Sequence, residues 1–157
     1  MKLLYCALYY LVLGAASFVL GRLLPKNWFD CRAFPYRIYS FEPELYHRLH
    51  VKQWQNKLPD MSRIFPKLMP PKKITADYSE RLPRMLQETC VAEFIHVLLS
   101  ILGFGALFIW PGVWGWVIAI VYFLGGNLPF IIIQRYNRPR LQRLEDGTRK
   151  HGGNIQK

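Results

Sequence analysis

Hydrophobic residues are concentrated in two long stretches of this chain instead of recurring with the short period of an ordinary soluble domain. The first begins at Leu3, and as far as Leu20 its polar side chains are only a cysteine, tyrosines and a serine. The second runs from Val91 to Ile133 and is interrupted near its middle by the sequence WPGVWGW. A helix that crosses a bilayer needs roughly 20 apolar residues, so the second stretch is long enough for two helices. The pattern predicts three transmembrane spans, at residues 3–24, 91–110 and 113–134.

These spans predict a single all-α integral membrane domain over residues 1–157. Residues 25–87, between the first and second spans, are rich in proline and aromatic side chains, and proline keeps helices short. Two short helices are predicted there, at 42–58 and 77–87. The first has an apolar face and a basic face, which suits a cytoplasmic helix lying in the membrane interface or one packing on the protein's own spans. The remaining residues, 135–157, are predicted to form a basic tail.

The beginning of the chain also has features of a secretory signal peptide. Lys2 precedes an apolar core, and the small residues Ala15, Ala16 and Ser17 follow that core. The apolar run continues beyond Ser17 through the residues FVLG. This continuation favours a retained span over a segment that is removed.

Charge is distributed unevenly over the polar segments, and the distribution predicts an orientation in the membrane. The formal net charge is +11. Residues 25–87 contain 12 Lys or Arg against 6 Asp or Glu, and residues 134–157 contain 7 against 2. Because cytoplasmic flanks of spans carry the excess of Lys and Arg, we predict a multi-pass cell-membrane protein whose central segment and C-terminus are cytoplasmic. Basic flanks of this kind attract anionic headgroups, so membrane lipids are predicted partners and nucleic acid is not.

Cysteine and histidine spacing gives little support for a metal centre. Cys6, Cys31 and Cys90 lie far apart, with no CxxC or Cys/His spacing typical of zinc and no sign of a disulfide scaffold. The chain has two Glu-x-x-His pairs, a spacing that di-iron bundles use. One of them, Glu44 and His47, lies in the polar segment, and the spans lack the further carboxylates that such a centre requires. The sequence therefore predicts no metal.

A polar stripe runs along the second span. Thr89, Glu93, His96 and Ser100 recur at spacings of three and four residues and share one face of a helix. Polar groups within spans are costly and usually face the interior of a bundle. Since residues three apart are neighbours on a helix, Glu93 is predicted to orient His96 as a general base or acid. The alternative is that these groups are hydrogen-bonding contacts between helices, without a chemical role.

The hairpin of the second and third spans predicts which polar residues lie at the same depth. Residues equidistant from the turn at Pro111 and Gly112 are level with one another. The level pairs are His96 with Asn127, Thr89 with Gln134, and Glu88 with Arg135.

The third span has a polar stripe of its own. Asn127, Gln134 and Arg138 share one helical face. Pro129 is expected to kink the helix and Pro139 to end it. Two polar stripes from neighbouring helices are thus predicted to meet near the cytoplasmic surface, with arginines beside them.

Three sequence blocks resemble a known enzyme family. They are HVKQWQNKLPD (50–60), ETCVAEFIH (88–96) and GNLPFIIIQRYNRPRLQRL (126–144), and the RLLPKNWF after the first span extends the likeness to most of the chain. In this order and spacing they resemble the staphylococcal-type glycosyl-4,4'-diaponeurosporenoate acyltransferases of carotenoid biosynthesis. The most specific part is the pattern NxPxxxxQRYNRPRL. The resemblance implies a membrane-bound bacterial enzyme that moves a fatty acyl group onto a sugar hydroxyl of a glycosylated carotenoid or related glycolipid.

The resemblance carries over residue by residue to the matching blocks. One departure is Gln55, where the family commonly has a lysine after the tryptophan. The matching residues are Trp54, Lys57, Glu88, Glu93, His96, Asn127, Pro129, Gln134, Arg135, Tyr136, Asn137, Arg138, Pro139 and Arg140.

Acyl transfer to a hydroxyl requires a base, a group that stabilises the oxyanion, and a place for the donor. We predict His96 as the base, Glu93 as its partner, and Asn127 as the hydrogen-bond donor to the oxyanion. Arginine suits the phosphates of an acyl-CoA or phospholipid donor because its planar fork binds phosphate in a bidentate manner, and no other cofactor is predicted. The predicted substrate-binding residues are Glu88, Gln134, Arg135, Asn137, Arg138, Arg140, Trp54 and Lys57.

Two other function classes fit the same features. The chain has no HxxxxD motif and no GxSxG motif, the familiar acyltransferase signatures. A small membrane methyltransferase would also combine polar span residues with an arginine-bearing tail, although no glycine-rich cofactor signature is present. A non-enzymatic scaffold would use the arginines for anionic lipid, with other enzymes of the pathway as candidate partners.

Overall fold

The computed structural model is helical throughout its regular structure and describes residues 1–58 and 78–153, with side chains described within 1–58 and 81–148. The two longest helices, at positions 78–103 and 128–153, form a pair, and the first helix of the chain lies beside them. Short 3₁₀ turns occur at Lys26–Trp28 and Gln55–Lys57, and a π-helical turn precedes the last helix. The α-helices and the π turn are α1 (Lys2–Leu23), α2 (Glu42–Arg48), α3 (Val51–Trp54), α4 (Tyr78–Gly103), α5 (Ala106–Ile109), α6 (Val113–Val121), π turn (Tyr122–Asn127) and α7 (Leu128–Gly153).

Within the described residues, three helical stretches are long and apolar enough to cross a membrane. They are Lys2–Leu23, Arg81–Ile109 and Val113–Thr148. The predicted count of three is therefore confirmed on length and composition. The second and third stretches extend further than predicted at their polar ends, because α4 and α7 continue as helices beyond the apolar residues.

The core lies where α4 packs along α7 and where the segment after α1 folds onto α4. Its buried side chains are apolar or sulphur-containing, and burial of such surface contributes about 25 cal/mol per Å². Tyr36 and Leu141 pack against this core from the connecting segment and from α7. The core residues are Phe29, Cys31, Leu86, Cys90, Val91, Ile95 and Leu99.

The first span packs on a break in the second stretch. The hydroxyl of Tyr9 donates to the carbonyl of Leu102 at 2.7 Å, and the hydroxyl of Tyr10 donates to the carbonyl of Gly103 at 3.0 Å. These carbonyls lie where α4 ends, and the carbonyl of Leu102 also accepts a hydrogen bond from the backbone N–H of Gly105 at 2.8 Å. A Cβ at Gly105 would overlap the phenol of Tyr9, and a Cβ at Gly103 would overlap the ring of Tyr122 in the π turn, so both positions favour glycine.

The segment between the first two spans folds onto the protein's own helices. The predicted helix at 42–58 is instead two short helices separated by His50, which has a left-handed backbone with φ of 51°. Tyr46 and Val51 are buried, and α2 and α3 both contact α7. The two short helices therefore pack on the protein's own helices, while Leu45 and Leu49 of the predicted apolar face remain exposed. The predicted helix at 77–87 is wrong as a separate element because α4 runs without interruption from Tyr78 to Gly103.

Covalent and ionic links fasten this segment to the long helices. Cys31 and Cys90 form a disulfide, with Cα atoms 6.2 Å apart, which the cysteine spacing did not predict. The guanidinium of Arg32 binds Glu145 at 3.1 Å and Asp146 at 2.6 Å near the far end of α7. Residues 59–77, within the predicted central segment, and 154–157 of the predicted tail lie outside the described residues.

The predicted end of the last helix at Pro139 is wrong. Proline in a helix removes one hydrogen bond and costs about 3 kcal/mol, but α7 continues from Leu128 to Gly153. Tertiary contacts hold the helix on both sides of the proline. Arg135 and Arg138 precede it with buried ion pairs, and Gln142 follows it with a hydrogen bond to the carbonyl of Cys31 at 3.2 Å.

We predict that Gly115→Ala destabilises the hairpin turn. A Cβ at Gly115 would overlap the carbonyl oxygen of Trp110, which is backbone and has little freedom to move away. Overpacking of this kind costs about 1–3 kcal/mol, measurable as a lower Tm in detergent. The control is Gly14→Ala in α1, where nothing lies within 4 Å of the added atom. An unchanged Tm for Gly115→Ala would contradict this packing.

Candidate functional site

A buried carboxylate joins α4 to α7 through two arginines. Oε1 of Glu93 accepts a hydrogen bond from Arg135 at 2.6 Å, and Oε2 accepts one from Arg138 at 2.6 Å. Glu93 is buried in α4, and both arginines project from α7. A buried carboxylate is costly unless it is paired and hydrogen-bonded, and here each oxygen has its own cationic donor.

Arg135 also reaches the segment between the first two spans. Its guanidinium forms an ion pair with Glu42 of α2 and donates to the carbonyls of Pro35 at 3.3 Å and Arg37 at 3.0 Å. With Glu93, these contacts employ all five N–H groups that a guanidinium possesses. Arg135 therefore has no donor available for a phosphate unless an existing hydrogen bond breaks.

Arg138 is the more deeply buried of the two arginines, with a relative exposure of 1%. Besides Glu93, it donates to Oγ1 of Thr89 at 3.0 Å and to the carbonyl of Tyr36 at 2.7 Å. Two carboxylates and two guanidinium groups make up this cluster, so its formal net charge is zero. We call the four residues Glu42, Glu93, Arg135 and Arg138 the ion cluster.

Glu42 is a member that the sequence did not indicate. It is 2% exposed, and its carboxylate accepts hydrogen bonds from Tyr46 at 2.8 Å and from the backbone N–H of Tyr39 at 3.1 Å. Burial by itself would raise the pKa of this carboxyl group, but the hydrogen bonds from Arg135, Tyr46 and Tyr39 leave the pKa below its ordinary value. The one signal in the sequence was that Glu42 is an acidic residue beside Pro43 at the start of a helix. Acidic residues are common at exposed helix starts, so this signal did not mark Glu42 as a buried residue.

A second polar pair lies about one helical turn further into the hairpin. Nδ1 of His96 is 3.1 Å from Oδ1 of Asn127, and the imidazole stacks on the ring of Phe130 with centroids 4.9 Å apart. The amide group of Asn127 donates from Nδ2 to the carbonyl of Tyr122 at 3.2 Å, within the π turn. With Nδ2 used there, Oδ1 faces His96 and can only accept. Nδ1 of a neutral His96 therefore carries the proton, and Nε2 has the lone pair.

The predicted hairpin register is confirmed at its inner level and displaced at its outer level. His96 meets Asn127, as predicted. Thr89 instead meets Arg138, and Arg135 meets Glu93 in place of Glu88. Side chains lean towards the N-terminus of their own helix, so long side chains on antiparallel helices reach past the level residue by about a turn.

The predicted hydrogen bond between Glu93 and His96 is not formed in the described chain. Glu93 is engaged by Arg135 and Arg138, while His96 is engaged by Asn127. Two strong cationic donors on the facing helix outweigh a neutral imidazole on the same helix. The partners of Glu93 are thus set by the packing of α7 on α4, and the spacing of residues within α4 does not reveal them.

The other predicted site residues lie around the ion cluster or away from it. Glu88 binds Lys26 at 2.7 Å and lies 3.6 Å from Arg84. Gln134 and Asn137 are half-buried on α7, and Arg140 is exposed. Trp54 donates to the carbonyl of Leu49 at 2.9 Å, and Lys57 is exposed on the next turn of the chain.

Among the described residues, no group of three or more His, Cys, Asp or Glu is arranged to hold a metal ion.

A groove of about 280 Å³ lies between α2 and α7, beside the ion cluster. Glu42 and Arg135 form its polar end, and the remainder of its wall is apolar or aromatic. We call it the α2–α7 groove. Its apolar lining consists of Tyr39, Phe41, Leu45, Tyr46, Ile131 and Ile132.

We predict that Arg138→Lys destabilises the fold although it keeps the positive charge. Lysine cannot direct donors towards Thr89, Tyr36 and Glu93 at the same time, so buried acceptors lose their partners. The expected loss is about 2–4 kcal/mol, read as a lower Tm in detergent. The matched control is Arg140→Lys, two residues along the same helix and exposed. If both variants melt like the parent protein, the ion cluster is not a structural centre.

We predict that acid weakens the attachment of α2 to α7 through Glu42. The folded-state pKa of Glu42 lies below the ordinary value of 4.5, so its stabilising contribution is present above pH 4.5 and is lost as the pH falls through the lower folded value. Thermal unfolding from pH 7 to pH 3 measures this loss. Glu42→Gln should have a lower Tm than the parent at pH 7 and a smaller further decrease at acid pH. Parallel pH curves for the two proteins would exclude Glu42 as the titrating group.

Comparison with known proteins identifies the family of this chain. The chain is 29% identical to a glycosyl-4,4'-diaponeurosporenoate acyltransferase of Staphylococcus aureus (strain bovine RF122 / ET3-1) over 143 residues, which cover 89% of this chain and 86% of that protein. The identically named proteins of strains MRSA252 and USA300 are 29% and 28% identical with the same coverage. No solved structure gives a significant match.

The family model itself spans most of the fold described above. It matches residues 25–146, from the end of the first span to the end of the contacts that α7 makes with Arg32. The match contains the ion cluster, the pair of His96 and Asn127, and the α2–α7 groove. This chain belongs to the glycosyl-4,4'-diaponeurosporenoate acyltransferase family.

Proposed function

We propose that this protein transfers a fatty acyl group onto a sugar hydroxyl of a glycosylated carotenoid or a closely related glycolipid. The named activity of its relatives and three helices long enough to span a membrane support this class of reaction. The proposed setting is the cell membrane. The excess of Lys and Arg favours the cytoplasmic side for the central segment and the C-terminus, a side on which a disulfide such as Cys31–Cys90 is unusual.

The observation that carries the mechanism is the orientation of His96 by Asn127. Asn127 is held by its Nδ2 hydrogen bond to Tyr122, so its Oδ1 keeps the proton of His96 on Nδ1. The Nε2 lone pair is then available for the hydroxyl of an acceptor. Asn127 acts as the orienting residue in this proposal and replaces Glu93 in that role. Its predicted role as donor to the oxyanion is given up here, because Nδ2 donates to the carbonyl of Tyr122.

The reaction begins when Nε2 of His96 takes the proton of the sugar hydroxyl. The hydroxyl oxygen forms a bond to the acyl carbonyl carbon of the donor, and a tetrahedral intermediate results. The intermediate collapses as the bond to the leaving group breaks, and His96 returns its proton to that leaving group. For an acyl-CoA donor the leaving atom is sulphur, and for a phospholipid donor it is a glycerol oxygen.

The ion cluster serves as the framework of the site in this proposal. Glu93 is three residues before His96 on α4, so the ion pairs that hold Glu93 also fix the helix that carries the base. Since the donors of Arg135 are fully used, we assign binding of donor phosphates to exposed cations, with Arg140 and Lys57 as the candidates. Gln134 and Asn137 remain candidates for contacts with substrate, and the acyl donor is the one further molecule required.

The test is mass spectrometry of pigments and glycolipids from cells that make the glycosylated acceptor, with and without this protein. We expect an added acyl mass only when the protein is present. His96→Ala should lower the amount of product by at least about 100-fold, the usual range for loss of a general base. His47→Ala is the control, because His47 is an exposed histidine in α2.

A pair of substitutions at Asn127 tests the orienting role. Asn127→Asp keeps an oxygen opposite Nδ1 of His96, whereas Asn127→Leu removes it. We expect Asn127→Leu to lose more activity, with the change mainly in kcat. Full activity in His96→Ala would refute the base, and absence of any acylated product in cells with active acceptor synthesis would refute the acyltransferase proposal.

A further inference from the structure

The α2–α7 groove has the shape and lining of a site for one hydrocarbon chain. Its walls come from two elements, Phe41 and Leu45 from the α2 side and Ile131 and Ile132 from α7. The two isoleucines precede Arg135 by about one turn of the same helix. The groove therefore runs from the ion cluster along α7 towards the apolar residues of that helix.

The volume of the groove limits what it can hold. A groove of about 280 Å³ has room for one hydrocarbon chain of limited length. A flexible acyl chain fits when its length matches this space, and a longer chain fits less well. A carotenoid is a rigid, methyl-branched polyene and needs a longer and wider channel.

The charge at the polar end also favours an uncharged occupant. Glu42 and Arg135 lie there, but each is neutralised inside the ion cluster, and every N–H of Arg135 is already used. A phosphate would meet the Glu42 carboxylate without a free cationic donor. A neutral chain beginning with an ester or thioester meets no such repulsion.

We propose that the α2–α7 groove binds the fatty acyl chain of the donor and sets the chain length that is transferred. The proposal rests on the proposed acyl transfer. With the chain in the groove, its carbonyl end lies beside Arg135, which contacts Glu93, three residues before the base His96 on α4. The carbonyl end then lies about one helical turn from the level of His96 along α4.

The test compares product chain lengths in cells that contain the acceptor and are fed equal amounts of decanoic and hexadecanoic acid. Ile132→Trp fills the groove, and we expect the ratio of long-chain to short-chain product to fall at least tenfold. Leu45→Ala enlarges the groove, and the ratio should rise at least twofold. The matched control is Val121→Trp, which places the same large ring on an exposed position of the same span outside the groove. Membrane abundance and Tm of each variant are measured alongside.

Unchanged ratios in both groove variants overturn the proposal, even when acyl transfer itself is intact. If Ile132→Trp makes no product, Leu45→Ala decides, and an unchanged ratio there overturns it. A changed preference for the acceptor with a constant acyl ratio would place the polyene in the groove and also overturn it. The proposed function fails separately, when the parent protein transfers neither chain.

Discussion

The fold depends on one carboxylate, Glu93, that two arginines of the facing helix share. Each oxygen of Glu93 has a guanidinium donor at 2.6 Å, so α4 and α7 are held in one register. A buried glutamate without those donors would cost several kcal/mol, and buried arginines without the glutamate would cost as much. The three side chains are stable in the interior only together, which links the packing of both long helices to one polar contact.

The ion cluster extends this constraint to the segment between the first two spans. Arg135 binds Glu42, and both arginines take backbone carbonyls from residues 35–37. The same segment is fixed by Cys31 to Cys90 and by Arg32 to the far part of α7. A short chain with few apolar core residues thus gains its tertiary order from directional polar contacts. The α2–α7 groove exists because this segment is held against α7 without filling the space above Ile131 and Ile132.

The groups that hold the helices together are different from the proposed reactive group. The ion cluster is the framework, and His96, oriented by Asn127, is the proposed base. The ion cluster is neutral, and every N–H of Arg135 is engaged, so the cluster has little capacity to bind a further charged group. His96 lies one turn away with a fixed tautomer and a free Nε2 lone pair in the described chain. A break in regular hydrogen bonding, the π turn before α7, supplies the carbonyl that orients Asn127. Such turns are often found at functional sites.

The sequence by itself determined the number of helices long and apolar enough to cross a membrane, the hairpin and the level of His96 with Asn127, because apolar run length and helical periodicity are local properties. It also indicated that Glu93 and the arginines belong to one region. Only the tertiary structure decided that Glu93 pairs with Arg135 and Arg138 and not with His96, that Glu42 joins them, and that α7 passes through Pro139. These outcomes depend on contacts between side chains of helices that are distant in sequence. The free energies of these contacts exceed the local conformational preferences of a helix turn or a proline.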